Sequence, residues 1–67
     1  MFQISLEAAR VNANLTQKMA AERIGVDPST LRNWESGRNA PDAYKFKALC
    51  ELYGCPMDAI FLPNRLT

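Results

Sequence analysis

The sequence predicts an all-α fold, a compact bundle of five short helices, on three observations. Capping and stop residues alternate along the chain: Ser5, Thr16 and Asp27 stand where helices begin, and Gly25, Gly37 and Gly54 where they end. Between these marks, apolar residues recur at three- and four-residue spacing. Nowhere do four residues alternate with the β-branched or aromatic types of a strand. With 67 residues, the chain is expected to be one small domain, residues 1–67, whose modest core needs regular elements and good caps.

The first helix is expected over residues 5–12. Ser5 caps it, Leu6, Ala9 and Ala13 share one face, and Glu7 sits in the first turn where the helix dipole favours a negative charge. Asn12 to Asn14 close it, and Leu15 follows as a bridging apolar residue. Thr16 caps the second helix, 17–24, with Ala20, Ala21 and Ile24 as its inner stripe and Gly25 just past its end. The third, 28–36, has the clearest start. Asp27 is its cap, and Pro28 occupies the first helical position, where a missing N–H costs nothing. Leu31 and Trp34 form its inner face, and Gly37 ends it. Pro41 or Asp42 opens the fourth helix, 42–53, with Ala43, Phe46, Leu49, Cys50 and Tyr53 inward and Gly54 as its stop. Pro56 to Phe61 reads as a short fifth helix, 57–61, ended by Pro63. The several inner alanines demand close helix approach, and Trp34, Phe46, Tyr53 and Phe61 supply the bulk that fills the rest.

Composition narrows the function. The chain is 48% hydrophobic and 22% charged, as a globular domain is. No window approaches the apolar length of a membrane helix, and the first residues lack the pattern of a secretory leader, so a cytoplasmic protein is expected. Eight basic and seven acidic residues give a net charge of +1, which does not by itself announce a nucleic-acid partner. Two cysteines and no histidine do not furnish a tetrahedral zinc site, so no metal is expected. Cys50 reads as a buried thiol in a reducing compartment, without a disulfide to Cys55. With no histidine, no glycine-rich phosphate loop and no acidic pair, nothing here suggests an enzyme, a cofactor or a small-molecule ligand.

Only Gly25, Val26 and Asp27 separate the second helix from the third, and two short helices joined by a tight glycine-containing turn make a helix-turn-helix. Val26 is the apolar turn residue that plugs the angle. With Leu31 and Trp34 inside, the third helix shows Pro28, Ser29, Arg32, Asn33 and Ser36 outward. These suit the base edges of a DNA major groove. Asn pairs bidentately with adenine, Arg with guanine and Ser with either, while the proline ring can lie on a thymine methyl.

The motif Leu15-Thr16-Gln17, Ala20-Ala21, Ile24-Gly25-Val26, Pro28-Ser29-Thr30-Leu31 and Trp34-Glu35-Ser36-Gly37, with Pro41, Leu49, Gly54 and Asp58-Ala59-Ile60-Phe61 after it, resembles the phage repressor/Cro-type (XRE) helix-turn-helix family. The resemblance runs from residue 5 to residue 61. It implies the five-helix, lambda repressor-like DNA-binding fold and binding to double-stranded operator DNA, commonly as a dimer. By position, Pro28, Ser29, Arg32 and Asn33 correspond to base-reading residues. Gln17 corresponds to a glutamine that bonds a phosphate and buttresses the recognition helix, with Lys18, Thr30, Arg38 and Asn39 as further backbone-positioning groups. Arg10 and Glu35 resemble a partly buried structural ion pair. The departures are Met19 in place of a capping-box acid, Ala43 in place of leucine, and Tyr53 and Cys55 in place of leucine and valine. The expected function is sequence-specific DNA binding by a Cro-like or minimal phage or mobile-element repressor. A weak homodimer is expected through the Met57 region, with Cys55 and Leu62 nearby. Two alternatives are an antitoxin of a toxin–antitoxin pair and a protein-interaction module that reuses the fold without DNA.

Overall fold

The structure is a computed structural model and describes residues 3–62. In chain order the elements are β1 (Ile4–Ser5), α1 (Leu6–Asn12), α2 (Gln17–Ile24), α3 (Pro28–Ser36), α4 (Ala43–Tyr53), a single 3-10 turn (Met57–Ala59) and β2 (Ile60–Phe61). Each α-helix starts where a side-chain oxygen accepts an otherwise orphaned first-turn N–H. Ser5 Oγ accepts from Ala8 at 3.0 Å, Thr16 Oγ1 from Met19 at 3.1 Å, Asp27 Oδ2 from Ser29 at 2.9 Å and Asp42 Oδ1 from Lys45 at 2.8 Å. The fourth helix is therefore opened by Asp42 and not by Pro41. α2 and α3 stop at Gly25 and Gly37, with φ of 84° and 86°, the left-handed conformation that a Cβ resists. α1 lacks such a glycine, and Asn14 takes the left-handed conformation instead, at φ 61°.

The core is one cluster: Leu6 and Ala9 from α1, Ala20 and Ala21 from α2, Leu31 and Trp34 from α3, Leu49, Cys50 and Tyr53 from α4, and Ile60 from β2. Ala20 and Ala21 are wholly buried, and such small side chains let the neighbouring helices approach α2 closely. The inner stripes are shorter than the sequence suggests. Ala13, Ile24 and Phe46 are only half-buried, and Ala43 is exposed beside its cap. Positions near helix ends share the periodic phase of a stripe without having a neighbouring element to cover them.

The expected fifth helix over 57–61 does not form, and the described residues hold four α-helices. Residues 57–59 make one 3-10 turn after Pro56, which offers no side-chain cap. Five residues also barely exceed the costly helix nucleus. Ile60 is instead extended, at φ −113° and ψ 128°, and pairs with β1 in parallel, Ile4 opposite Ile60 and Ser5 opposite Phe61. The pleat sends alternate side chains to opposite faces. Ile60 goes into the core at 4% exposure and Phe61 turns out at 46%, so Phe61 does not supply core bulk. Two-residue strands leave no alternating run for a sequence reading to find. Gln3 Nε2 adds a bond to the Asp58 carbonyl at 3.1 Å, tying the first described residue to the last turn. Pro63, expected to end the fifth helix, lies outside the described residues. Among the described residues, no helix is long and apolar enough to cross a membrane.

Candidate nucleic-acid interface

The site is built on the α2–turn–α3 unit. At the end of α2, the N–H groups of Gly25 and Val26 both donate to the Ala21 carbonyl, at 2.8 and 3.0 Å. These two hydrogen bonds to one carbonyl close the end of α2, and Val26 packs against the core. Asp27 then starts α3, whose Leu31 and Trp34 are buried in the core cluster that also holds Ala20 and Ala21 of α2. The spacing of the anchors leaves the opposite face of α3 free.

On that face Ser29, Arg32 and Ser36 are exposed, while Pro28, Thr30 and Asn33 are half-buried. Asn33 therefore stands lower on the helix flank than the sequence expectation of a fully outward residue. The Ser29 hydroxyl donates to Asp27 Oδ2, and the Ser29 N–H donates to the same oxygen. These two bonds, with the Arg32 charge adding to them, hold the Asp27 carboxyl below the ordinary aspartate range. Ser29 thus has its proton committed and presents lone pairs.

The start of α2 forms a second cluster. Arg10 Nε donates to Glu35 Oε2 at 2.7 Å and Nη2 reaches Oε1 at 3.5 Å, with the two side chains only 11% and 4% exposed. Arg10 Nη1 also donates to the Leu15 carbonyl at 2.8 Å, and Gln17 Nε2 donates to Glu35 Oε1 at 2.8 Å. Glu35, on α3, is therefore shared by α1 through Arg10 and by α2 through Gln17, while Arg10 itself reaches the α1–α2 loop. The Gln17–Glu35 bond fixes the Gln17 side chain to the end of α3. Beside it lies a shallow depression of about 610 Å³, lined by Arg10, Asn14, Thr16, Gln17 and Lys18 among others. Lys18 is exposed there.

Past α3, Arg38 and Asn39 are exposed on the loop to α4. The Arg38 N–H donates to the Asn33 carbonyl at 3.0 Å, closing the cap around Gly37 and fixing where the loop leaves the helix. Lys18, Gln17, Thr30, Arg38, Asn39 and the α3 face thus come from three successive segments of one unit. Met57 lies apart from them, on the 3-10 turn, and is 40% exposed.

Two features escaped the sequence reading. The first is the Leu15 carbonyl as a partner of Arg10, since backbone acceptors carry no residue signal. The second is the burial of the Tyr53 hydroxyl at the end of α4. Burial, and then the Glu35 charge, push its pKa up to about 12. Burial, with Cys55 beside it, likewise pushes the Cys50 thiol up to about 11, which keeps the thiol protonated and inert. Cys50 and Cys55 are both free thiols. Among the described residues, no cluster of His, Cys, Asp or Glu is placed to hold a metal ion.

Residues 6–60 match a helix-turn-helix family model. Over 65 residues the chain is 29% identical to the HTH-type transcriptional activator BcrR of Enterococcus faecalis. That alignment covers 97% of this chain but 32% of BcrR, so the chain spans about a third of that relative. No solved structure matches.

Proposed function

Because this chain belongs to the repressor/Cro-type (XRE) helix-turn-helix family, we propose that it is a sequence-specific double-stranded DNA-binding regulator of transcription. The observation that carries the reading is the α3 face. A helix pinned by Leu31 and Trp34 turns Ser29, Arg32 and the flank of Asn33 away from the body, behind a proline start. Pro28, Ser29, Arg32 and Asn33 read base edges, and Gln17, Lys18, Thr30, Arg38 and Asn39 position the domain on phosphates. The N-terminus of α2 supplies N–H groups and a favourable dipole to a phosphate seated beside Gln17. Arg10 and Glu35 hold that end of α2 in register with α3.

The finer reading is a Cro-like repressor that acts by occupying its operator as a homodimer. One recognition helix reads only a few base pairs, and two copies one helical turn apart, about 34 Å, double the site. Met57 and Phe61, both part-exposed at the 3-10 turn and β2, are the apolar groups on offer for the contact. Sedimentation with a palindromic duplex should give two chains per site, and Met57→Glu should remove the cooperativity while leaving the fold intact. A saturated complex of one chain per palindrome refutes the dimer.

The base-reading assignment is tested by contrasting two variants. Asn33→Ala should weaken binding to the operator upstream of its own gene by about 1–3 kcal/mol and leave random DNA nearly unaffected. Arg38→Ala should weaken both duplexes alike and lower the salt slope by about one unit. Equal losses on both duplexes for Asn33→Ala remove it from the reading set. A changed sequence preference for Arg38→Ala does the same to its positioning role.

A further inference from the structure

At the start of α3 the contacts fix where a hydroxyl proton lies. Asp27 Oδ2 accepts from the Ser29 backbone N–H at 2.9 Å and also from the Ser29 hydroxyl. Chemistry sets the direction of the second bond. An ionised carboxylate has only lone pairs to offer, so the hydroxyl is the donor. Both residues are exposed, and the hydroxyl faces solvent with its single proton already committed.

The backbone holds this arrangement. Asp27 is the N-cap of α3, at φ −73° and ψ 144°, and Pro28 follows at the first turn. A proline fixes its own φ and keeps the residue before it in the extended region. The carboxylate is therefore carried on a restrained stretch of chain, two residues before the serine that it binds.

A serine hydroxyl ordinarily donates or accepts, so it discriminates poorly between base edges. Here, donating to a base requires leaving a carboxylate, and bonds to charged acceptors are among the stronger ones. Accepting requires no such loss. In the major groove the donors are the N6 amine of adenine and the N4 amine of cytosine. The acceptors are purine N7, guanine O6 and thymine O4.

We propose that Asp27 makes Ser29 an acceptor-only reader, which takes the exocyclic amine of an adenine or a cytosine and discriminates against N7, O6 and O4. The proposal rests on α3 being the base-reading helix. Asp27 is then a positioning residue, which sets specificity through Ser29 besides capping the helix.

The test makes atom-sized changes in the operator. Selection from randomised duplexes with the unsubstituted chain gives the preferred site, and Ser29→Ala marks the base pair whose preference it alters. At that pair the amine is removed, with purine in place of adenine or 2-pyrimidinone in place of cytosine. This should weaken the unsubstituted chain by about tenfold more than it weakens Ser29→Ala, which corrects for any change in the duplex itself. A 7-deaza purine, which lacks the N7 acceptor, should weaken the two proteins equally. Asp27→Gly retains a tolerated cap residue and frees the hydroxyl proton, so most of the amine discrimination should disappear. The charge lost in that variant acts on every duplex alike and leaves the ratio between duplexes unchanged. A Ser29-dependent loss on the 7-deaza duplex, or full amine discrimination in Asp27→Gly, overturns the proposal. A Ser29→Ala variant with unaltered preference at every base pair also overturns it, while leaving sequence-specific binding by α3 in place. A chain that selects no sequence at all overturns that binding function, and the proposal with it.

Discussion

Leu31→Ala should cost about 2–5 kcal/mol of folding stability, the range for truncating a buried leucine and leaving a cavity. Leu31 is among the largest fully buried side chains, and it belongs to the core cluster that also holds the two alanines of α2. A 67-residue domain has on the order of 3–10 kcal/mol in total. The variant should therefore be partly or wholly unfolded at 25 °C in water, by urea titration followed by circular dichroism. It should also lose DNA binding that a saturating operator concentration restores in part, since ligand binding stabilises the folded state by mass action. A loss below about 1 kcal/mol would show that α3 settles onto α2 and closes the gap.

Glu35→Ala should cost about 3–5 kcal/mol, for a different reason. Removing the carboxylate strands the Arg10 guanidinium, which is almost out of contact with solvent and so is screened little. It also leaves Gln17 without its acceptor. Glu35→Gln keeps the shape and one acceptor oxygen and should lose less. The diagnostic variant is Arg10→Met combined with Glu35→Leu. A buried ion pair gains little net stability over apolar residues of similar size, so the double variant should recover most of what Glu35→Ala loses. If the double variant is as unstable as the single one, the pair contributes through its geometry, by holding the Leu15 carbonyl and α2 in place. In both cases Gln17 is released, and the stability measurement should be accompanied by the salt dependence of DNA binding.

The two halves of the α2–α3 unit were legible in different degrees. The caps at Ser5, Thr16 and Asp27 and the stops at Gly25 and Gly37 are written in single residue types, because each acts on backbone groups within four residues of itself. The three-residue turn and the Leu31–Trp34 face follow from the same local spacing. The candidate reading face was legible to the level of which residues stand on it. The half-buried state of Asn33 and the commitment of the Ser29 proton to Asp27 were not, since both depend on side-chain rotamers and neighbours. The Arg10–Glu35 pair was reached only by family resemblance, because nothing in the spacing of two residues 25 positions apart foretells their contact.

By itself, then, the sequence determined the α-helices from Leu6 to Tyr53, their punctuation and the exposure of Ser29, Arg32 and Ser36 on α3. The tertiary structure decided what happens after Gly54. There the local pattern of 57–61 suits a helix, yet Ile60 and Phe61 pair with Ile4 and Ser5, Ile60 fills the core and Phe61 faces out. It also decided that Glu35 is shared by Arg10 and Gln17 and that the Tyr53 hydroxyl is buried. Helix signals act over three or four residues and are summed along the chain. A bond such as Gln3 to Asp58 spans 55 residues, and its value depends on the chain between having already folded to bring the two ends together.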